Sequence, residues 1–210
     1  MKRSHSSKLW LMRHVNDPFV KRSKAEGYRS RAIYKLKEID EKDRLLGPGA
    51  VVVDLGAAPG GWSQHAAARV GAGGKVVAID LLEMGALNGV TFIKGDFSSD
   101  AGLKAVEEAL AGLAVDVVLS DMAPNISGIM LSDQARALAL VELALDFALS
   151  HLKPGGAFLV KTFQGDGFDD TIKAMRSAFA KVHVRKPEAS RNESNEVFLL
   201  GLGAKGPRAP

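Results

Sequence analysis

The chain has 210 residues, 46% of them hydrophobic, no cysteine and a formal charge of +4. This composition supports one compact domain with a sizeable core, and it excludes disulfides and thiolate metal sites. The five histidines, His5, His14, His65, His151 and His183, show no short ligand spacing, so no structural zinc is expected, and no apolar run approaches the ~20 residues of a membrane span.

The N-terminal segment is the basic part of the chain. Residues 1–37 hold eleven Lys or Arg against two acids, a net +9, while the remainder holds 17 against 22, a net −5. The first sixteen residues lack acids and resemble a transit peptide, but Leu9-Trp-Leu-Met12 is too short for a secretory core, so a cytoplasmic location is expected. Lys21-Arg-Ser-Lys-Ala-Glu-Gly-Tyr-Arg-Ser-Arg31 is the densest basic run, with Tyr28 and Tyr34 as flat faces beside the cations. Cations on phosphates with aromatics for stacking suit looped or single-stranded RNA, so residues 1–28 are predicted to form an RNA-binding arm. A helix follows over Arg29–Lys42, with Ala32, Ile33, Leu36 and Ile39 as its apolar stripe and Lys35 beside it. The stem of Lys35 can be buried while its amine reaches a cleft.

The next stretch organises the domain: Val51-Val-Val-Asp-Leu-Gly-Ala-Ala-Pro-Gly-Gly-Trp62. Its apolar run reads as a buried parallel strand, Gly56, Gly60 and Gly61 as a turn that lets a ligand approach the backbone, and the residues after Trp62 as a helix. The spacing is not the G-x-G-x-x-G of a dinucleotide site. Pro59 has no N–H to offer a phosphate, which suits S-adenosylmethionine, a ligand without one. Asp80 closes the following strand, Lys75-Val-Val-Ala-Ile-Asp80, where an acid holds ribose hydroxyls. Asp96, after the short strand Val90-Thr-Phe-Ile93, is placed to accept from an adenine amino group or to act as a plain loop acid.

A helix is expected over Asp100–Leu110, and then the strand Val115-Asp-Val-Val-Leu-Ser-Asp121. Ligands of a doubly wound sheet bind at the carboxyl ends of its strands, so Asp121 is pointed at the cleft. Ser132 or Asp133 caps a long helix to Leu152, and Lys153-Pro-Gly-Gly156 turns into the strand Ala157-Phe-Leu-Val-Lys161-Thr-Phe163. Lys161 ends that apolar run on the same edge as Asp121. A helix over Phe168–Ala180, a strand Lys181–Arg185 and a last strand Glu196–Leu202 complete the domain over residues 29–203, leaving 204–210 as a frayed tail. The loop before the last strand is too short for a crossover. The fold class is therefore α/β and Rossmann-like: a seven-stranded, mostly parallel sheet with one antiparallel strand.

Asp54-Leu-Gly-Ala-Ala-Pro-Gly-Gly-Trp-Ser-Gln64, Ser120-Asp-Met-Ala-Pro-Asn125, Gly165-Asp-Gly-Phe168 and Arg185-Lys-Pro187 closely resemble the FtsJ-type (RlmE-like) ribosomal RNA 2′-O-ribose methyltransferases. The resemblance runs from Lys8 to about Leu202. It implies a class I S-adenosylmethionine-dependent methyltransferase with a catalytic set at Lys35, Asp121, Lys161 and Glu196. It also implies cofactor contacts at Gly60, Trp62, Asp80, Asp96 and Asp121, and a uridine of large-subunit ribosomal RNA, inside the assembled subunit, as substrate. The roles of Lys35 and Glu196 rest on the resemblance alone; the residue pattern itself reads them as a helix-face cation and a strand end.

The chemistry asks for such groups. Methyl transfer displaces a sulfonium in line, and a ribose hydroxyl is a poor nucleophile until its proton leaves or is shared. Lys161 is expected to act as general base or orienter, Asp121 to fix its amine, and Lys35 with Glu196 to align the hydroxyl; no metal is called for. A monomer is expected. Three other readings share parts of the pattern: a base N-methyltransferase, although Asp121-Met-Ala-Pro-Asn125 lacks the aromatic that stacks a base; a small-molecule O-methyltransferase, which has no use for a +9 segment; and a non-catalytic RNA-binding protein with a vestigial cofactor site.

Overall fold

A computed structural model describes residues 17–124, 127–191 and 194–206. Its strands are β1 (Val51–Leu55), β2 (Lys75–Asp80), β3 (Val90–Lys94), β4 (Val115–Ser120), β5 (Leu152–Phe163), β6 (Phe179–Arg185) and β7 (Glu196–Ala204). They form a seven-stranded sheet in the order β3-β2-β1-β4-β5-β7-β6. β1 to β5 pair in parallel, while β7 runs antiparallel to both β5 and β6. The expected α/β architecture with one antiparallel strand is thus the observed one.

The helices are α1 (Pro18–Ala25), α2 (Ile33–Asp43), α3 (Gly61–Val70), α4 (Asp100–Leu110), α5 (Met130–His151) and α6 (Phe168–Ala178). Leu36 and Ile39 of α2 and Trp62, Ala66 and Val70 of α3 cover one sheet face, against Val52, Val76, Leu159 and Phe198. Val106, Leu110, Val141, Leu145 and Met175 of the other three long helices cover the opposite face, against Val53, Val77, Val118 and Val160. Alternation along each central strand feeds both cores, which is why β1, β2 and β4 carry apolar side chains on both faces.

A buried carboxylate locks α2 to α3. Asp40 is 2% exposed; its Oδ1 accepts from Leu46 N at 2.8 Å, and its Oδ2 lies 2.9 Å from both His65 Nε2 and Arg69 Nε. Burial alone would raise this carboxyl, but the His65 hydrogen bond, the Leu46 amide and the two basic groups outweigh it and hold it below its ordinary value.

Several boundaries differ from expectation. β5 begins at Leu152 because Leu152 already pairs with Val115 before a register shift, so Lys153-Pro-Gly-Gly156 lies inside the strand instead of forming a turn. α2 begins at Ile33, and residues 29–32 form a loop tied to α3. Helix α5 starts at Met130 with no side-chain cap. Asp133 sits in its first turn and reaches back to accept from Ser127 N at 2.8 Å, Ser127 Oγ at 2.7 Å and Gly128 N at 3.0 Å. These bonds, the Ser127 amide first, push its carboxyl down to about 2. The expected tail at 204 also begins later: Ala204 pairs with Phe179, and Lys205 N donates to Ala178 O at 2.9 Å.

The basic arm divides at residue 17. Residues 1–16 lie outside the described residues, but Asp17 caps α1 through Phe19 N at 2.9 Å, and Phe19 packs on Tyr34 at a ring separation of 5.5 Å. Tyr34 is therefore no stacking platform for a base. It is 5% exposed, meets Tyr28 edge-on at 5.9 Å and donates to Glu26 Oε2 at 3.1 Å. Burial, with Glu26, pushes its hydroxyl up to about 12.

Candidate active site

The carboxyl ends of β1, β2, β4 and β5 and the amino end of the antiparallel β7 meet beside α2, and the predicted residues divide there into a cofactor group and a reaction group. Asp80, at the end of β2, accepts from Ala58 N at 2.8 Å through Oδ2 and from Leu82 N at 2.7 Å through Oδ1, which fixes the glycine turn to the strand end. Leu81 and Leu82 beside it are 61% and 69% exposed, an open apolar ledge next to a carboxylate. Asp96 is exposed in the loop after β3; its Oδ1 takes Ser98 Oγ at 2.6 Å and Ser98 N at 2.9 Å, leaving Oδ2 without a partner among the described residues.

Gly60 does more for the protein than for a ligand. Its φ is +106°, and a Cβ there would lie 2.7 Å from Met84 Sδ and 3.1 Å from Arg29 Cδ, so the turn needs glycine whether or not a ligand is bound. The Trp62 side chain likewise points inward: it is 2% exposed, sits 5.7 Å from the Phe198 ring and donates Nε1 to Ala32 O at 2.8 Å. What Trp62 has left for a cofactor is its backbone N–H in the first turn of α3.

Asp54 is a functional candidate that the sequence reading passed over as a strand end. It is fully buried, accepts from Ser63 Oγ at 2.6 Å through Oδ2, and its Oδ1 has no hydrogen-bond partner among the described residues. Burial, with the nearby charges of Asp121 and Asp80, pushes its carboxyl up to about 7. A position inside an acid-ended strand immediately before the glycine turn was the available signal. In the unfolded chain Asp54 ionises near pH 4, but in the folded chain only near 7. Its contribution to stability is therefore full below about pH 4 and is lost as pH rises through 7. We expect Asp54→Asn to match the wild-type urea midpoint at pH 4 and to exceed it at pH 8; a constant difference between the two pH values would contradict this.

The reaction group holds two lysine–carboxylate pairs. Lys35, on α2, places Nζ 2.6 Å from Glu196 Oε1 at the start of β7 and 5.5 Å from the Phe198 ring. Lys161, 8% exposed, donates to the Asp121 carbonyl at 2.6 Å; its Nζ is 3.0 Å from Asp121 Oδ1, an ion-pair contact and not a formed hydrogen bond, since Oδ1 has no hydrogen-bond partner among the described residues. Ser190 Oγ donates to Glu196 Oε1 at 2.9 Å. Burial would raise the Glu196 carboxyl, but Lys35 by charge and hydrogen bond, then Lys161 by charge and Ser190 by hydrogen bond, overcome it and hold it below its ordinary value. Lys161 opposes Phe198 and Phe163 opposes Glu196 across β5 and β7, which makes Lys161 and Glu196 diagonal neighbours on one face.

Helix α2 lies on this edge because two links hold it there. Arg185 of β6 makes a two-pronged pair with Asp43, 2.8 Å from Nε to Oδ2 and 2.6 Å from Nη2 to Oδ1, and Glu188 N donates to Glu38 Oε2 at 2.8 Å. A groove of about 370 Å³ opens between α2 and the β6–β7 loop, lined by Arg31, Ala32, Lys35, Ala189, Arg191, Ser194 and Glu196. Arg191 is exposed there, and its side chain has no partner among the described residues.

The dense basic run does not all face solvent. Arg22 pairs with Glu26, Arg31 with Asp17 and the Ala189 carbonyl, and Arg29 donates to the carbonyls of Gly85 and Ala86, each at 2.6 Å, and of Pro59 at 3.4 Å. Lys21 and Lys24 remain exposed without a carboxylate partner among the described residues.

Comparisons with known proteins agree with this geometry. The FtsJ-like methyltransferase family matches residues 28–204. The chain is 61% identical to the ribosomal RNA large subunit methyltransferase E of Azoarcus sp. (strain BH72), over 96% of this chain and 98% of that protein. It is 58% identical to the protein of the same name from Methylobacillus flagellatus, with the same coverage. A solved structure named as a ribosomal RNA methyltransferase from Plasmodium falciparum is 28% identical, covers 85% of this chain and 100% of that one, and superposes with a TM-score of 0.74. With a matched segment that takes in the glycine turn and both lysine–carboxylate pairs, the chain belongs to the FtsJ-like methyltransferase family.

Proposed function

We propose that this protein transfers the methyl group of S-adenosylmethionine to the 2′-hydroxyl of a uridine in large-subunit ribosomal RNA, within the assembled subunit, acting as a cytoplasmic monomer. The observation that carries the reading is the meeting of Lys35–Glu196 with Lys161–Asp121 beside the glycine turn. The names of its relatives, all methyltransferases of large-subunit ribosomal RNA, support the substrate class.

The residues present fit the cofactor. Asp54 offers a buried, unpaired carboxylate oxygen, α3 its first-turn N–H groups, Asp80 a carboxylate for ribose hydroxyls, and Leu81 with Leu82 an apolar ledge for a flat ring. When bound, S-adenosylmethionine supplies an electrophilic methyl on a positive sulfur. Every other step belongs to the chain's own side chains. Lys161 contacts the ribose hydroxyl and holds or takes its proton. Asp121 fixes the Lys161 amine through its carbonyl and carboxylate, and Lys35 with Glu196 orients the hydroxyl from the α2 side. Because each lysine has its own carboxylate, both amines keep fixed positions and neither drifts toward solvent.

Transfer of labelled methyl to large subunits and to naked ribosomal RNA, followed by nucleoside digestion, tests the reading. The expected product is 2′-O-methyluridine from subunits. Label on a base would identify the wrong acceptor, and no label despite bound cofactor would leave a binding protein in place of an enzyme.

A further inference from the structure

A second cavity adjoins the reaction group on the α5 side. It has a volume of about 460 Å³ and a largely apolar lining that includes Ala123, Pro124, Phe163, Gln134, Gln164 and Asn195. Its walls continue directly from the reacting residues: Ala123 follows Asp121 on the β4 loop, Phe163 lies two residues beyond Lys161 on β5, and Asn195 precedes Glu196. Gln164 N donates to Asn195 O at 2.9 Å, which closes the sheet end beneath the cavity.

A glycine shapes one wall of the cavity. A Cβ on Gly165 would lie 2.2 Å from Gln134 Nε2, and the φ of +150° at that residue also disfavours a side chain. The Gly165-Asp-Gly-Phe168 motif thereby lets Gln134 into the wall. The side-chain amides of Gln164 and Asn195 have no partner among the described residues.

The two cavities differ in kind. The groove on the α2 side carries Glu196, Arg31 and Lys35, the two cations each paired with a carboxylate, and the Arg191 side chain, which has no partner among the described residues; the α5 cavity is mostly apolar, with the Asp166 carboxylate and the Asp133–Arg136 ion pair at its edge. The Arg191 guanidinium on the α2 side is available to a phosphate, whereas no Lys or Arg among the described residues lines the α5 cavity. A ribonucleotide has the same polarity: a flat, mostly apolar base with polar edges at one end, an anionic phosphate at the other, and the ribose between.

We propose that the α5 cavity binds the base of the acceptor nucleotide, with Gln164 and Asn195 reading its edge, while its phosphate lies in the α2 groove. This rests on the methyl transfer proposed above and goes further by fixing the direction in which the nucleotide lies. Free carboxamides suit this task, because each offers a donor and an acceptor side by side to a base edge. An unstacked base leaving its RNA helix finds an apolar wall on one side and hydrogen-bonding partners at the rim.

The test uses undermethylated large ribosomal subunits and three full-length variants: Gln164→Ala, Asn195→Ala and Ala137→Phe, the last filling the cavity from α5. Binding of S-adenosylmethionine and the thermal unfolding midpoint are measured alongside, the midpoint serving as the control for folding. We expect kcat/KM for subunits to fall about 10-fold for each amide variant and further for Ala137→Phe, with cofactor affinity unchanged. Unchanged kcat/KM in all three variants overturns the proposal. A parallel loss of cofactor affinity also overturns it, by assigning the cavity to the methyl donor. Wild-type protein that transfers no methyl to the subunits removes the reaction itself, and the cavity's occupant with it.

Discussion

Replacing Lys161 by alanine is expected to lower turnover by about 10²- to 10⁴-fold, the range of a positioned acid or base, while S-adenosylmethionine still binds. The side chain is 8% exposed and is held at two points by Asp121, so its amine has one position to offer. Truncation removes that amine and leaves the Asp121 carboxylate without its counter-charge, but it does not touch the glycine turn. Lys161→Arg keeps the charge and changes the geometry; if the amine accepts the proton, arginine restores little, and if only positive charge matters, it restores most. Single-turnover rates with saturating cofactor separate these cases. Wild-type turnover in Lys161→Ala would end the assignment.

The largest effect on stability is expected at Asp40. Asp40→Ala strips three partners at once: the Leu46 amide is left buried without an acceptor, the His65 ring loses its one hydrogen bond among the described residues, and the Arg69 side chain loses one of the two it makes there. The Arg69 side chain is 48% exposed and can turn to water, which softens the loss. The cost is therefore about 3 kcal/mol, a midpoint lower by roughly 10 °C in a chain of this size. The native Asp40 carboxyl lies below its ordinary value, so its stabilisation is present above about pH 4 and is lost as pH falls through the depressed native value. Thermal scans at pH 7 and pH 3 check this: the gap between variant and wild type should be wide at the first and narrower at the second. A gap that widens in acid would mean that Asp40 is not ionised in the native state.

The parts of the molecule that repetition dictates were legible in the sequence. Apolar runs of five or six residues ending in Asp80 or Asp121, separated by amphipathic stretches, allow little besides a doubly wound sheet. The single antiparallel strand followed from the short loop before Glu196. Side-chain destinations were less legible, because charge in a sequence does not say whether its partner is solvent or protein. Arg22, Arg29 and Arg31 read as phosphate ligands, yet each is engaged internally, two of them with backbone carbonyls far along the chain. Tyr34 read as a stacking platform and is buried, and the Trp62 side chain, implied by the resemblance as a cofactor contact, is buried too. Asp54 was invisible for the opposite reason: an acid inside an apolar strand looks like the strand's end until its second oxygen proves to have no partner. The catalytic roles proposed for Lys35 and Glu196 came from family resemblance, since 161 residues separate them and no local pattern joins them.

The placement of β7 has a consequence for the order in which the enzyme comes into being. Glu196 opens the last strand, and that strand lies between β5 and β6, both made before it. During synthesis, therefore, the Rossmann half can be translated and begin to collapse while the partner of Lys35 is still in the ribosome. A nascent chain that has not yet made β7 lacks the carboxylate that pairs with Lys35. Lys35 is joined to the Lys161 edge only once the C-terminal strand has taken its place between β5 and β6, so the proposed reaction group waits for the finished sheet.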